Sequence, residues 1–409
     1  MDAASVSPAL ALMMTPALAI LIFYAGFVRS RNVLNTMVMS FTAMALVSVL
    51  WVLYGYSLAF SPGSGPLAPS LGGLQWAGLS NRDQPYGDGQ LSHGAVALFQ
   101  ATFAIITPAL ISGAVVERMH FRAWLLFVVL WSTVISMLLA PMVWAPGGLL
   151  GPDGLGALDF AGGLVVEIAS GVGALVATLM VGPGRSDPQA VAPPHNVPLI
   201  LLGAGLLWFG WFGFNGGSGL VAGNSGLAGL HHHQQRRGRG GADLDGGRNP
   251  AAGPTHRRRP GHRLGGRPGG DHTGGGLRLP MAALGIGLVA ALVCSGALQL
   301  KTRLRLDDSL DVLPVHGVAG LVGTLLTGVF ALRSLNPAGA DGLITGRATQ
   351  LGIQLSTAGF TILWVGVGTF ALLALIRLVL PLRVSGEQER QGLDISAHGE
   401  EAYNTEFTG

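Results

Sequence analysis

Charge is what this 409-residue chain has little of: 11% of its residues are Asp, Glu, Lys or Arg, against about 25% in an average soluble domain. That shortfall excludes an ordinary water-soluble globule. Cysteine is nearly absent too. The single Cys294 lies in an apolar run, so it cannot build a disulfide framework and packs as a small hydrophobe, leaving the redox compartment unread. A general basic surface is also missing, although a net charge of +3 and a pI of 9.4 would invite a search for anionic partners. Ten of the 24 Lys and Arg fall between His231 and Pro280 with three of the 21 acids; the other 359 residues hold 14 basic against 18 acidic side chains, a balance of −4. No nucleic-acid partner is expected. What is abundant is 49% hydrophobic residues, 64 Gly, 16 Phe and eight Trp, at a mean hydropathy of +0.51. Helices packed closely through small residues in a bilayer have this composition.

About 30 Å of hydrocarbon takes about 20 helical residues. Nine apolar stretches near that length predict spans at 7–28, 33–60, 94–116, 123–145, 162–182, 197–222, 281–300, 313–332 and 351–376. The first is read as a span and not as a signal peptide, because Asp2 stands in place of a basic leader and the stretch is too long for a signal core. Short basic loops follow the first span (Arg29, Arg31), the third (Arg118, Arg122), the fifth (Arg185) and the seventh (Lys301, Arg303, Arg305), and Arg383 and Arg390 lie in the tail. Positive charge on alternate loops places those loops in the cytoplasm, with the N-terminus outside and the C-terminus inside.

The window 231–280 breaks the pattern. HHHQQRRGRGG followed by THRRRPGHRLGGRPGG cannot cross a bilayer, and it is basic on what should be the outer side. Three readings stand: a metal-binding His loop, a disordered Gly/Arg linker, or a stretch translated out of frame. Codon arithmetic favours the third. A one-base shift turns the three His codons into Thr or Ile, the two Gln codons into Asn or Ser, and lets DHTGGGLRL become Ile-Thr-Pro-Ala-Gly-Gly-Phe-Val. Both products suit a membrane helix, and two hidden spans would bring nine to eleven without inverting the topology. The expected organisation is a membrane domain over 1–382 with the aberrant 231–280 segment inside it, then a polar tail over 383–409.

Ordered blocks now carry a resemblance: FYAGFVRSRNVLNT (23–36), WVLYGYSLAF (51–60), FQATFAIITPALISGAVVER (99–118), LDFAGG (158–163), LLWFGWFGFNGGS (206–218), LDDSLDVLPVHGV (306–318) and GLDISAHGEEAY (392–403). Together they resemble an ammonium transporter of the Amt/Mep/Rh superfamily, on the Amt side, over the whole chain except the window. The resemblance implies an all-α polytopic membrane protein with an eleven-helix bundle built as an inverted repeat. It also implies a homotrimer with one narrow pore per subunit, no enzymatic activity, and neither a metal nor a cofactor.

An ammonium pore must strip water from a cation in a low-dielectric passage, for which the idealised cost is of order 20 kcal/mol. Aromatic faces contribute up to about 2 kcal/mol each to a desolvated cation, and a hydroxyl can accept one N–H. By resemblance Phe103, Trp144 and Ser218 form the outer capture site, and Phe99 and Phe214 are two stacked rings closing the pore below it. Read alone, these aromatic residues would be packing residues. Asp159, at the start of the fifth span, can cap a helix N-terminus and is expected to support the vestibule.

Two ionisable side chains fall inside apolar spans, Glu167 in LVVEIASG and His316 in LPVHGVAG, and such residues mark function by default. Most family members carry His at both positions, so this chain departs at the first. Burying a lone Glu is expensive, and pairing it with His316 is the economical explanation. The expected mechanism deprotonates ammonium near the outer gate, passes ammonia through an apolar lumen, and relays the proton over Glu167 and His316. An anionic lumen should alter the pH dependence and reject potassium less well.

The tail residues Gly392, Asp394, His398, Glu400 and Tyr403 track the family's cytoplasmic segment, which couples pores and receives a PII-type nitrogen-signalling protein. Ammonium, with methylammonium as its analogue, and the lipid bilayer of the cell membrane complete the expected partners. Two other readings stay open: an ammonium sensor that transports little, and a non-functional frameshifted product.

Overall fold

The computed structural model describes residues 15–87, 91–184, 194–218, 280–334 and 339–403. The window's proposed hidden spans therefore lie outside the described residues, as does Arg185. Elsewhere the apolar stretches become helices, because a backbone in lipid must satisfy every N–H and C=O within its own segment. In chain order they are α1 (Thr15–Phe27), α2 (Val33–Leu50, extended through Trp51–Gly55 and Tyr56–Phe60) and α3 (His93–Val115). Next come α4 (Phe121–Trp131, extended through Ser132–Ser136 and Met137–Trp144), α5 (Gly163–Ile168 and Ala169–Val181) and α6 (Val197–Gly217). The last three long helices are α7 (Pro280–Arg303), α8 (Leu313–Val318 and Ala319–Phe330) and α9 (Thr349–Val379). Among the described residues, eight of these rods are long and apolar enough to cross a membrane. One boundary differs from expectation. Lys301 and Arg303 end α7 instead of lying in a loop, where their charge complements the helix dipole.

Burial orders the bundle. In α3, 83% of the apolar window is buried within the chain, against 22% in α9, so α3 is the central post and α9 a perimeter helix. Different parts of α3 meet different partners. Midway along it Phe103 touches Trp144 at the end of α4; just past its end Arg118 donates to the Gly182 carbonyl that closes α5, and there the carbonyls of Gly113 and Ala114 accept from Leu310 and Ser309, just ahead of α8. Consequently α5 and α8 begin at opposite ends of the bundle. Four of the rods contain a widened π-type turn, at Trp51–Gly55, Ser132–Ser136, Gly163–Ile168 and Leu313–Val318. Such turns concentrate at functional sites.

A two-stranded hairpin, β1 (Pro85–Tyr86) and β2 (Leu91–Ser92), pairs Pro85 with Ser92 and Tyr86 with Leu91 and leads directly into α3. After α9 the tail forms a short helix, α10 (Gly386–Gln391). It begins with a full capping box, Ser385 accepting from Gln388 N–H and Gln388 reaching back to Ser385 N–H, two otherwise orphaned donors satisfied reciprocally.

Candidate functional site

Each of the two ionisable membrane residues lies eight positions after an aspartate that opens its helix. Asp159 Oδ1 accepts from the N–H groups of Gly162 and Gly163, both at 2.7 Å, and Oδ2 from Leu164 at 2.8 Å and Val165 at 3.2 Å. A left-handed Gly162 (φ +102°) makes this tight turn; a Cβ there would press on Val166 at 2.8 Å. Burial pushes the Asp159 carboxyl up to about 6, against the downward pull of those four hydrogen bonds. Asp308 repeats the device at α8, accepting from Val312 at 3.0 Å and Leu313 at 2.7 Å. Burial raises its carboxyl too, while the Lys301 ammonium pulls the other way.

The two capped turns then bring Glu167 and His316 together. Glu167 Oε2 lies 2.8 Å from His316 Nδ1, with the residues 1% and 6% exposed, so an acid and a base share one hydrogen bond in the bundle interior. Glycines permit the approach. A Cβ on Gly171 would fall 2.2 Å from the Gly317 Cα, and one on Gly320 would fall 2.5 Å from the Glu167 Cβ. The helices therefore cross backbone to backbone beside the pair.

Toward the α5-start end of the bundle, Phe103 is the hub of the aromatic cluster. Its ring centroid is 5.3 Å from Trp144 in an edge-on arrangement, 5.0 Å from Phe99 and 4.5 Å from Phe214. This corrects the expected ring pair. Phe103, not Phe99, lies against Phe214, and the two rings are tilted at 52° instead of stacked. Phe99 and Phe103 share one face of α3 at i and i+4 spacing, and the depth at which α6 crosses decides which of them Phe214 meets. Trp144 is held by its indole N–H, donated to the Asp159 carbonyl at 2.8 Å. Ser218, one turn beyond Phe214, donates its hydroxyl to the Phe214 carbonyl at 2.8 Å. Its oxygen keeps a lone pair for an incoming donor.

At the opposite face, Arg118, which the sequence presented only as loop charge, is 2% exposed. It donates to the Gly182 carbonyl at 3.0 Å, to Ser309 Oγ at 2.5 Å, to the Ala114 carbonyl at 2.8 Å and to the Asp307 carbonyl. Tail residues fasten onto the same face. Asp394 accepts from Leu34 N–H at 3.0 Å and Asn35 N–H at 2.8 Å, capping α2 from a distant part of the chain. His398 Nε2 meets Asn35 Oδ1 at 3.0 Å, and the Tyr403 hydroxyl meets His195 Nε2 at 2.9 Å. Gly392 (φ +103°) passes so close to Arg31 that a Cβ would fall 2.7 Å from its carbonyl. Glu400 is exposed.

The chain is 41% identical to an ammonium transporter of Bacillus subtilis over 417 residues, 96% of this chain and 95% of that protein. It is 39% identical to a putative ammonium transporter of Methanothermobacter thermautotrophicus, at 97% and 96% coverage. Among solved structures it is similar to Saccharomyces cerevisiae Mep2, with a TM-score of 0.77 and 28% identity over 99% of this chain and 91% of that one. Candida albicans Mep2 gives 0.76 and 26% over 94% and 86%. The model of the Ammonium Transporter Family matches residues 4–228 and 273–403, leaving unmatched only the chain's ends and residues 229–272, nearly all of them in the aberrant window. On these matches and this geometry the chain, an all-α polytopic membrane protein, belongs to the ammonium transporter family.

Proposed function

We propose that this chain carries ammonium across the plasma membrane. Phe103, Trp144 and Ser218 capture the cation, two aromatic faces and one lone pair replacing part of its water. The tilted Phe103 and Phe214 rings close the passage below, excluding water and ions, and Phe99 backs Phe103. Ammonium gives up its proton there; ammonia crosses, and the proton passes over Glu167 and His316. The 2.8 Å contact between those two buried side chains carries the reading, because a buried acid–base pair is costly to maintain unless it functions. Asp159 supports the site by holding the start of α5 and the indole of Trp144.

The assembly we infer is a homotrimer with the N-terminus outside and the tail in the cytoplasm, where a PII-type protein docks. Residues 231–280 are read as an out-of-frame stretch replacing two spans; the nucleotide sequence across codons 225–285 tests this, and codons that yield no apolar product after shifting overturn it. Transport itself is tested by ammonium and methylammonium uptake in cells stripped of their own transporters. Saturable uptake is expected, with Trp144→Leu weakening the apparent affinity by about tenfold, the equivalent of most of one desolvated cation–π contact. Binding without uptake would favour a sensor.

A further inference from the structure

Between the Phe103–Trp144 pair and the capped start of α5 lies a small cavity walled by Trp51, Gln100, Phe103, Ser136, Trp144 and Val165. It has room for about one water-sized molecule. Both of its uncharged polar side chains are deeply buried, Gln100 at 7% and Ser136 at 4% exposure, and among the described residues neither has a hydrogen-bond partner. Buried polar groups are seldom left unsatisfied. The neighbouring indoles cannot serve a guest as donors, since Trp51 gives its N–H to the Ala97 carbonyl at 2.9 Å and Trp144 to Asp159. A guest therefore meets the Gln100 amide, which offers an acceptor oxygen beside its NH2, the Ser136 hydroxyl, which can turn a lone pair to an incoming donor, and aromatic carbon. An acidic group lies close by: the Asp159 carboxyl takes the N–H of Val165, itself in the cavity wall.

Several N–H donors, a positive charge and the size of one water describe the ammonium ion. Resting on the transport reading above, we propose that this cavity is a second ammonium station, in which Gln100 Oε1 and Ser136 Oγ accept N–H bonds while the aromatic walls face the charge. Its size makes it a discriminator. Methylammonium carries the same donors plus a methyl group for which the cavity has no room, so the station favours ammonium over its analogue.

The experiment measures half-saturation for ammonium and methylammonium currents in the full-length protein, for wild type, Ser136→Ala and Ala140→Gly, Ala140 being a further wall residue. Removing the Ser136 acceptor should raise half-saturation for ammonium by about tenfold, the loss of one hydrogen bond to a charged group, and for methylammonium by clearly less. Opening the wall at Ala140 should lower half-saturation for methylammonium by about tenfold relative to ammonium, a gain that misfolding cannot produce. Equal shifts for both substrates, or none in either variant, overturn the proposal, as does a crystal structure with a water held there both with and without ammonium. A wild type with no saturable ammonium current removes the transport reading and this station together; a conducting wild type whose variants fail these expectations removes the station alone.

Discussion

The first turns of α5 and α8 solve one problem twice and differ in how they are charged. Both place an aspartate on the first helical N–H groups, widen the next turn, and present an ionisable side chain eight residues on. At α5 the carboxylate takes four N–H groups, and burial and those bonds alone set its titration. At α8 it takes two, and the Lys301 ammonium lies close enough to donate to the Asp308 carbonyl and to Asp311. Burial thus raises both carboxyls; at α5 only hydrogen bonds oppose it, and at α8 hydrogen bonds and a cation do. The repeated unit fixes geometry, and its immediate neighbours fix charge.

The hardest test of that comparison is to remove one member of the pair that the two capped turns hold. His316→Ala leaves Glu167 buried without its base and should destabilise the detergent-purified protein by about 3–5 kcal/mol, read by denaturant or thermal unfolding; a loss below about 1 kcal/mol would show that the pair is not coupled. Next come the caps. Asp159→Asn sets an amide NH2 against N–H donors and strands them, at about 1–3 kcal/mol for each unsatisfied group, whereas Asp308→Asn disturbs fewer and should cost less. Equal losses would break the asymmetry. Because burial raises Asp159 in the folded state, its protonation supports folding fully below 3.8 and progressively less as pH rises through about 6. The gap in melting temperature between wild type and Asp159→Asn should therefore narrow from pH 4 to 7.

A subtler change exchanges chemistry within the same geometry. Glu167→His should shift the pH profile of ammonium-evoked current between about pH 5 and 8, where imidazole titrates, and sharpen discrimination against potassium. An unaltered profile and selectivity would take the pair out of conduction. The smallest effect concerns the third aspartate cap, Asp394 on α2, which comes from a distant segment of the chain. Burial lowers the neighbouring His398 below 6.5, opposed by Asp394. Its contribution to docking is therefore complete above 6.5 and lost as pH falls. Proteolytic cleavage of the tail should accelerate from pH 7 to 5, and His398→Gln should flatten that dependence.

The spans were legible because a bilayer demands unbroken apolar length, and their ends came within a few residues at α3, α4 and α5. Glu167 and His316 were legible for the converse reason: an ionisable group in such a run has to be accounted for. The Phe103–Phe214 contact was not, since two phenylalanines one turn apart on α3 are equivalent until α6 arrives. Nor was the role of Gln100 or Ser136, because uncharged polar residues are common in membrane helices and only an enclosed space shows what they face. Arg118 read as loop charge, its four acceptors being carbonyls and a hydroxyl that hydropathy does not register.

Where α5 crosses α8, Gly171 leaves no space for even one added carbon, a Cβ there falling 2.2 Å from the Gly317 Cα. Two helices locked at that point have a fulcrum there, and a fulcrum is the part of a lever that does not travel. Any movement of the two helices would then be taken up at the far ends of the arms, with the aromatic rings toward one end and the docked tail toward the other, while the acid–base pair beside the crossing keeps its spacing. Replacing Gly171, even with alanine, would push that fulcrum apart and separate the pair without touching it.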